Sequence, residues 1–185
     1  IGSPGLFDDS GITLASIVRT KTDTYCYYTG WKRRRYGVSF ELSIGVARLL
    51  DDGEKMEKLF IGPILGQDRS HPFLVAGPYV LGSESEGFRM WYCSGTDWQQ
   101  RDHGPEPIYT VFTARSNDGL TWEGFSSDPV IDYNFDHEVV SAPWVTKLAN
   151  GYLMHYPFRG SITKSDKNYT IGVAISKDGT SWARM

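Results

Sequence analysis

Three short segments concentrate side chains able to move protons: Phe7-Asp8-Asp9-Ser10-Gly11, Asp68-Arg69-Ser70-His71-Pro72-Phe73 and Asp136-His137-Glu138. Each carries at least one carboxylate. A carboxyl group whose pKa is raised can give its proton to a reacting group as a general acid. Glu138 is the candidate acid, because Val139-Val140 and Ala142-Pro143-Trp144-Val145 follow it and read as a buried strand. A carboxyl at the mouth of such a strand loses solvation, which favours its protonated form. His71 and His137 could bond hydroxyl groups. A metal site would need ligands converging from separate segments; none is expected, and no cofactor is implied.

Binding residues surround these segments. Trp31 and Trp98 offer flat faces for sugar rings, as could Trp91, Tyr36 and Tyr109. Trp98 stands in "GTDWQQRDHGPEP", whose polar and turn-forming residues predict an exposed loop. Arg69 and Arg159 complete the candidate binding set. Lys32-Arg33-Arg34-Arg35, inside "GWKRRRYG", could grip an anionic sugar or phosphate through guanidinium forks. Plainer readings stand beside these. Acids at loop starts cap turns by accepting backbone amides, histidines can be satisfied inside the fold, tryptophans fill cores, and a basic tetrad can be a solvated hairpin tip. Asn168-Tyr169-Thr170 is a glycosylation sequon by pattern alone.

What would bring the three segments together is a repeat. Ser116-Asn117-Asp118-Gly119-Leu120-Thr121-Trp122 is echoed 60 residues later by Ser176-Lys177-Asp178-Gly179-Thr180-Ser181-Trp182. The apolar strands before them, Val111 to Ala114 and Ile171 to Ala174, align as well. A worn copy, Ile44-Gly45-Val46-Ala47 followed by Asp51-Asp52-Gly53, has lost the Ser and the Trp. Tyr28, Tyr92 and Tyr156 recur every 64 residues, and Pro63-Ile64-Leu65 and Pro129-Val130-Ile131 lie 66 apart. Each unit reads as four short strands; in the last they cover Val139 to Lys147, Tyr152 to Tyr156, Tyr169 to Ile175, and Ser181 onward. Asp-Gly predicts a two-residue hairpin turn with both central residues at positive φ, locked by the Trp that follows.

Four antiparallel strands per repeat make the blade of a β-propeller. The expected blades cover about 7–66, 67–132 and 133–185 of one all-β domain. Three blades do not close a ring, so the expectation is either part of a longer chain lacking one or two blades, or a homo-oligomer in which chains complete each other.

Totals agree with this picture. The 185 residues are 40% hydrophobic and 22% charged, with 20 Gly and 9 Pro for turns. Six Trp, eleven Tyr and nine Phe favour strands. A net charge of −3 argues against nucleic acid as a partner, and no apolar run reaches the roughly 18 residues of a membrane helix. The chain begins at Ile1, which leaves room for a leader or earlier sequence upstream. Cys26 and Cys93 fall at repeat positions of opposite parity, so they should face opposite sides and stay unbridged. Two free thiols suit a cytoplasmic location, with a secreted one as the alternative.

Together "FDDSGI", "YYTGW", "SIGVA", "MWYCSGTDW", "ARSNDGLTW", "HEVVSAPWV" and "IGVAISKDGTSW" resemble the five-bladed propellers of the glycoside hydrolase family 43 and family 32 superfamily, over almost the whole chain. The resemblance implies cleavage or binding of a glycan in a central cleft, and it places the general acid on Glu138. The Arg-Asp-Pro motif that supports the transition state in those enzymes falls on Ser70-His71-Pro72, with Arg69 one step displaced and His71 where an Asp is expected. The base comes from the family's first blade: it falls on Asp9 or Asp8 if the first unit here is that blade, and is missing from this chain if it is not. The alternatives are a non-catalytic carbohydrate-binding protein and a structural wedge that works only within an oligomer.

Overall fold

The computed structural model describes residues 1–50, 53–101, 104–160 and 168–185. Asp51 and Asp52 of the worn repeat, and Asp102 and His103 of the long polar segment, lie outside them. The described residues form twelve strands and no helix. Blade 1 is an antiparallel sheet in the order β1 (Gly11–Arg19), β2 (Thr24–Arg33), β3 (Phe40–Leu50) and β4 (Lys55–Lys58). Blade 2 is β5 (Val75–Ser83), β6 (Gly87–Arg101) and β7 (Gly104–Ser116), with its fourth strand reduced to a bridge between Arg115 and Glu123. In blade 3, β8 (Val139–Val140) and β9 (Trp144–Leu148) share one edge of β10 (Gly151–Arg159), followed by β11 (Thr170–Ser176) and β12 (Ala183–Arg184). This is an incomplete β-propeller of three blades.

Three local expectations change. The strand predicted from Val139 to Lys147 is broken at Ser141–Pro143, because Pro143 has no N–H to give, while the Ser141 amide donates to the Pro157 carbonyl at 2.7 Å. The break has counterparts. β1 shifts register between Leu14 and Ser16, and β5 between Ala76 and Tyr79, so all three inner strands are irregular in corresponding stretches. Second, the predicted loop around Trp98 is a long hairpin, paired from Gly95–Tyr109 out to Arg101–Gly104. Pro105 and Pro107 are tolerated there because β7 is an edge strand, whose outward side needs no donor.

Third, the repeated turn differs from the predicted hairpin. Only its glycine takes positive φ, +76° at Gly119 and +75° at Gly179. Side chains shape the rest. Ser116 Oγ accepts the Gly119 amide at 2.8 Å, and Asp118 Oδ1 accepts those of Leu120 and Thr121 at 2.8 and 2.7 Å. Ser176 and Asp178 repeat the pattern with all three bonds at 2.8 Å.

The turns also join blades. The Tyr27 hydroxyl donates to the Gly119 carbonyl at 3.0 Å, and the Trp91 indole N–H donates to the Gly179 carbonyl at 2.9 Å. Blades 1 and 2 thus each send an aromatic donor, from positions 64 residues apart, into the turn of the next blade. Trp122 meets Tyr27 edge-on at 6.1 Å and Trp182 meets Trp91 at 6.2 Å. Around these contacts lie two apolar cores. Tyr27, Ile44, Val46, Val80, Met90 and Tyr92 close the first seam. Trp91, Val111, Val140, Val145, Met154 and Tyr156 close the second.

Both cysteines are buried and free. Cys26 packs with Tyr28 and Ala47 on the face of blade 1 turned away from blade 2. The Cys93 thiol donates to the Val140 carbonyl inside the second seam, where burial pushes it up to about 12.

Candidate functional site

Each segment singled out for chemistry runs into an inner strand, and each folds inward onto its own blade. Asp8 is fully buried. Its Oδ2 accepts the Tyr28 hydroxyl at 3.1 Å and pairs with the Lys58 ammonium returned by β4. Tyr28 lies across the chain from Gly45, where a Cβ would strike its ring. Burial and the Asp8 charge push the Tyr28 hydroxyl well above its ordinary value, so it remains a donor.

Blade 3 repeats this arrangement. Glu138, also fully buried, takes both guanidinium nitrogens of Arg184 from β12 at 2.7 Å, and its Oε2 accepts the Asn134 amide at 2.8 Å. Arg184 lies over the Tyr156 ring at 5.2 Å, and Tyr156 faces Gly172 as Tyr28 faces Gly45. The chain reaches this geometry through His137, the one non-glycine residue at positive φ among those described (63°), which turns Glu138 inward while His137 stays exposed. Both oxygens of Glu138 therefore act as acceptors toward a bidentate cation. A general acid must instead present a proton to its substrate.

Blade 2 has different chemistry at the same place. His71 is buried between the Tyr92 hydroxyl, 2.8 Å from Nε2, and Asp68, 3.1 Å from Nδ1. Phe112 stands across from Tyr92, and Phe125 packs on the imidazole at 5.5 Å.

The exposed chemistry lies on the hairpin rim. The Ser10 amide donates to the Trp31 carbonyl at 2.9 Å, and the Arg33 amide to Ser10 Oγ at 3.1 Å, so Asp9 sits beside the β2–β3 hairpin. Bonds from the Ser10 hydroxyl and the Gly5 amide hold the Asp9 carboxyl below its ordinary range, so it is ionised at neutral pH. On the same hairpin Trp31 and Phe40 meet at 5.6 Å, and Phe40 meets Trp98 of blade 2 at 6.1 Å. The Trp31 indole is pinned by Thr13 Oγ1 at 3.0 Å and remains 38% exposed. At the outer end of the seam between blades 2 and 3 a polar group forms. The hydroxyls of Tyr109 and Tyr169 meet at 2.8 Å, Arg159 donates to Tyr169 at 3.2 Å, and Arg159 pairs with Glu106 at 3.7 Å. An open cavity of about 540 Å³ runs along the inner strands, lined by Leu14, Ile17, Arg19, Tyr79, Leu81 and Trp144 among others. Asp9, His71 and Glu138 do not line it.

No family model matches the chain. It is 31% identical over its whole length to the uncharacterized protein Rv1502 of Mycobacterium tuberculosis, and spans 58% of that relative's length. Among solved structures it is similar to a glycoside hydrolase, with a TM-score of 0.77 and 19% identity over 100% of this chain and 58% of that one. A thermostable family-43 glycoside hydrolase superposes with a TM-score of 0.65 and 18% identity, over 91% of this chain and 52% of that chain. A GH32 β-fructofuranosidase of Bombyx mori, in complex with sucrose, gives a TM-score of 0.68 and 18% identity over 88% and 33% of the two chains. The fold is the β-propeller that these three glycoside hydrolases share.

Within this propeller the candidate residues separate into groups. Asp8, His71 and Glu138 occupy equivalent places but are enclosed in three different blades. Asp9, Trp31 and Trp98 come together on the rim of blades 1 and 2. Arg159 belongs to the second seam, and Arg69 and His137 are exposed on the surface. Sequence reasoning missed Lys58, Arg184 and Phe125, the partners of the buried residues, and Phe40, which links the two tryptophans. The alternation of Lys55–Lys58 and the final Ala183-Arg184 carry no motif that would have singled them out. Among the described residues no group of three or more His, Cys, Asp and Glu is placed to hold a metal, and no helix is long and apolar enough to cross a membrane.

Proposed function

We propose that the protein binds carbohydrate on the hairpin rim of blades 1 and 2, with Trp31, Phe40 and Trp98 as the stacking platform. The observation that carries this reading is the platform itself: three rings in series, the first pinned by Thr13, partly open and beside an ionised Asp9 that can accept hydroxyl hydrogen bonds. Sugar rings have apolar faces and polar edges, which suit an aromatic surface flanked by a carboxylate. Titration of a panel of oligosaccharides, followed by tryptophan fluorescence and calorimetry, tests the reading. Trp31→Ala is expected to weaken binding by on the order of tenfold, the equivalent of about 1.4 kcal/mol. A panel with no titratable ligand would sink the proposal.

Hydrolysis is the second reading, favoured by the ionised Asp9 at the rim and by the glycoside hydrolases among the structural neighbours. It requires Glu138 to give up Arg184 and reach the cleft as a proton donor. Comparing turnover of aryl glycosides by the wild type and Glu138→Gln decides it; equal rates, or none in either, remove Glu138 from any catalytic role.

A further inference from the structure

The basic run Lys32-Arg33-Arg34-Arg35 borders the rim platform, and strand register separates its members. Lys32 is opposite Glu41 on β3, and Arg33 is opposite Phe40. Residues paired across two strands share a face, and so do alternate residues along one strand. Arg33 therefore stands on the face that carries Trp31 and Phe40, the face Phe40 turns toward Trp98. Lys32 points the other way, where its ammonium donates to the Gly5 carbonyl at 3.1 Å and attracts Asp9. Arg34 pairs with Glu41 at 3.2 Å, and Arg35 lies over the exposed Tyr36 ring at 5.6 Å. The Arg33 backbone is held, since its amide donates to Ser10 Oγ at 3.1 Å. Its side chain is exposed, and the guanidinium makes no hydrogen bond or ion pair among the described residues. An unpaired cation thus borders the stacking surface at its Phe40 end.

We infer that the glycan bound on the rim is acidic, and that Arg33 takes the carboxylate or sulfate ester of the sugar ring lying on Phe40. This rests on the platform reading above and names the class of sugar the platform takes. A sugar ring stacked by one face keeps its substituents at the ring edge. Arg33 meets that edge, because residues paired across strands have Cβ atoms about 4.5–5.5 Å apart. A guanidinium presents parallel N–H groups that match two oxygens of a carboxylate or sulfate, and it gives up its hydration more readily than an ammonium does. The charge balance agrees. Residues 31–41 with Asp9 carry four cations and two carboxylates, and the carboxylates are answered by Arg34 and Lys32. Arg33 and the tip residue Arg35 are left in surplus.

The test is calorimetric titration with tri-galacturonate and with a sulfated galactotriose, each against its uncharged counterpart, the methyl ester and galactotriose itself. At least one acid is expected to bind about tenfold tighter than its counterpart, and the one that does names the acid group. Arg33→Gln is expected to abolish that preference while holding the affinity for the uncharged counterpart within about twofold, which also shows that the variant is folded. Arg35→Gln deletes the same charge at the hairpin tip and is expected to change the preference by less than about twofold, because a solvated charge away from the ligand is screened. Trp31→Ala should weaken charged and uncharged ligands alike. Equal binding of acids and counterparts by the wild type, or an Arg35→Gln loss as large as that of Arg33→Gln, would overturn the acidic-sugar assignment and leave the platform reading standing. Binding of neutral oligosaccharides alone would do the same. Silence from every sugar, charged or neutral, would bring down both.

Discussion

Blades 1 and 3 fasten the entry to the inner strand with a buried charge pair, whereas blade 2 does so with rings. In the first two, a carboxylate (Asp8, Glu138), a tyrosine lying on a cross-strand glycine, and a fourth-strand cation (Lys58, Arg184) make one unit. In blade 2 the carboxylate has become His71, the glycine Phe112 and the cation Phe125, while Tyr92 is retained. The three exchanged members differ together. A buried carboxylate without its cation would bear a desolvation cost that nothing offsets, so charge enters or leaves such a place as a set. The same comparison accounts for the His that stands where the resemblance to family 43 leads one to expect an Asp. In this chain the position belongs to an internal fastening, and an imidazole bonded on both sides fills it as well as a carboxylate does.

Breaking the charged set should have the largest effect. Arg184→Met leaves Glu138 buried and unpaired, and is expected to cost about 3–5 kcal/mol in urea denaturation. Adding Glu138→Leu should recover most of that loss, and a double variant no better than the single one would contradict the idea of a set. In blade 2, Tyr92→Phe removes one hydrogen bond from an already aromatic cluster. The expected cost is about 0.5–1.5 kcal/mol, and a loss as large as that of Arg184→Met would erase the distinction between the blades.

The smallest effect concerns acid, where the turns of the two seams should behave alike. The amides of Ser181 and Thr180 hold the Asp178 carboxyl well below its ordinary value of 3.8. Partial burial pulls Asp118 upward, but bonds from the Thr121 and Leu120 amides more than offset it, and its net shift is also downward. A carboxyl whose folded pKa lies below its unfolded one stabilises the fold above the unfolded value, and that stability is lost as pH falls through the folded value. Asp118→Asn and Asp178→Asn should therefore each flatten the loss of stability below about pH 4. An unchanged acid limb in either variant would mean that the turns do not contribute alike.

Much of the scaffold was legible because it is periodic. The 64-residue tyrosines and the paired turns located three sheets, and the strand parity of Cys26 and Cys93 put them on opposite faces. Partners that close across a blade were not legible. Lys58 lies 50 residues from Asp8, and Arg184 lies 46 from Glu138, with no local pattern linking either pair. Trp98 was misread for a related reason. Asp, Gln and Pro around it have low strand propensity, yet pairing with β7 outweighs that preference once both segments extend from a stable sheet.

The sequence by itself determined the repeat, the all-β class and the positions where acids, imidazoles and aromatics recur, because strand alternation and turn chemistry are local. The tertiary structure alone decided which way those side chains point. Burial and charge pairing depend on what the fourth strand and the neighbouring blade bring within a few ångströms. That contact turned Asp8, His71 and Glu138 into the blades, and left Asp9, Trp31 and Trp98 at the rim.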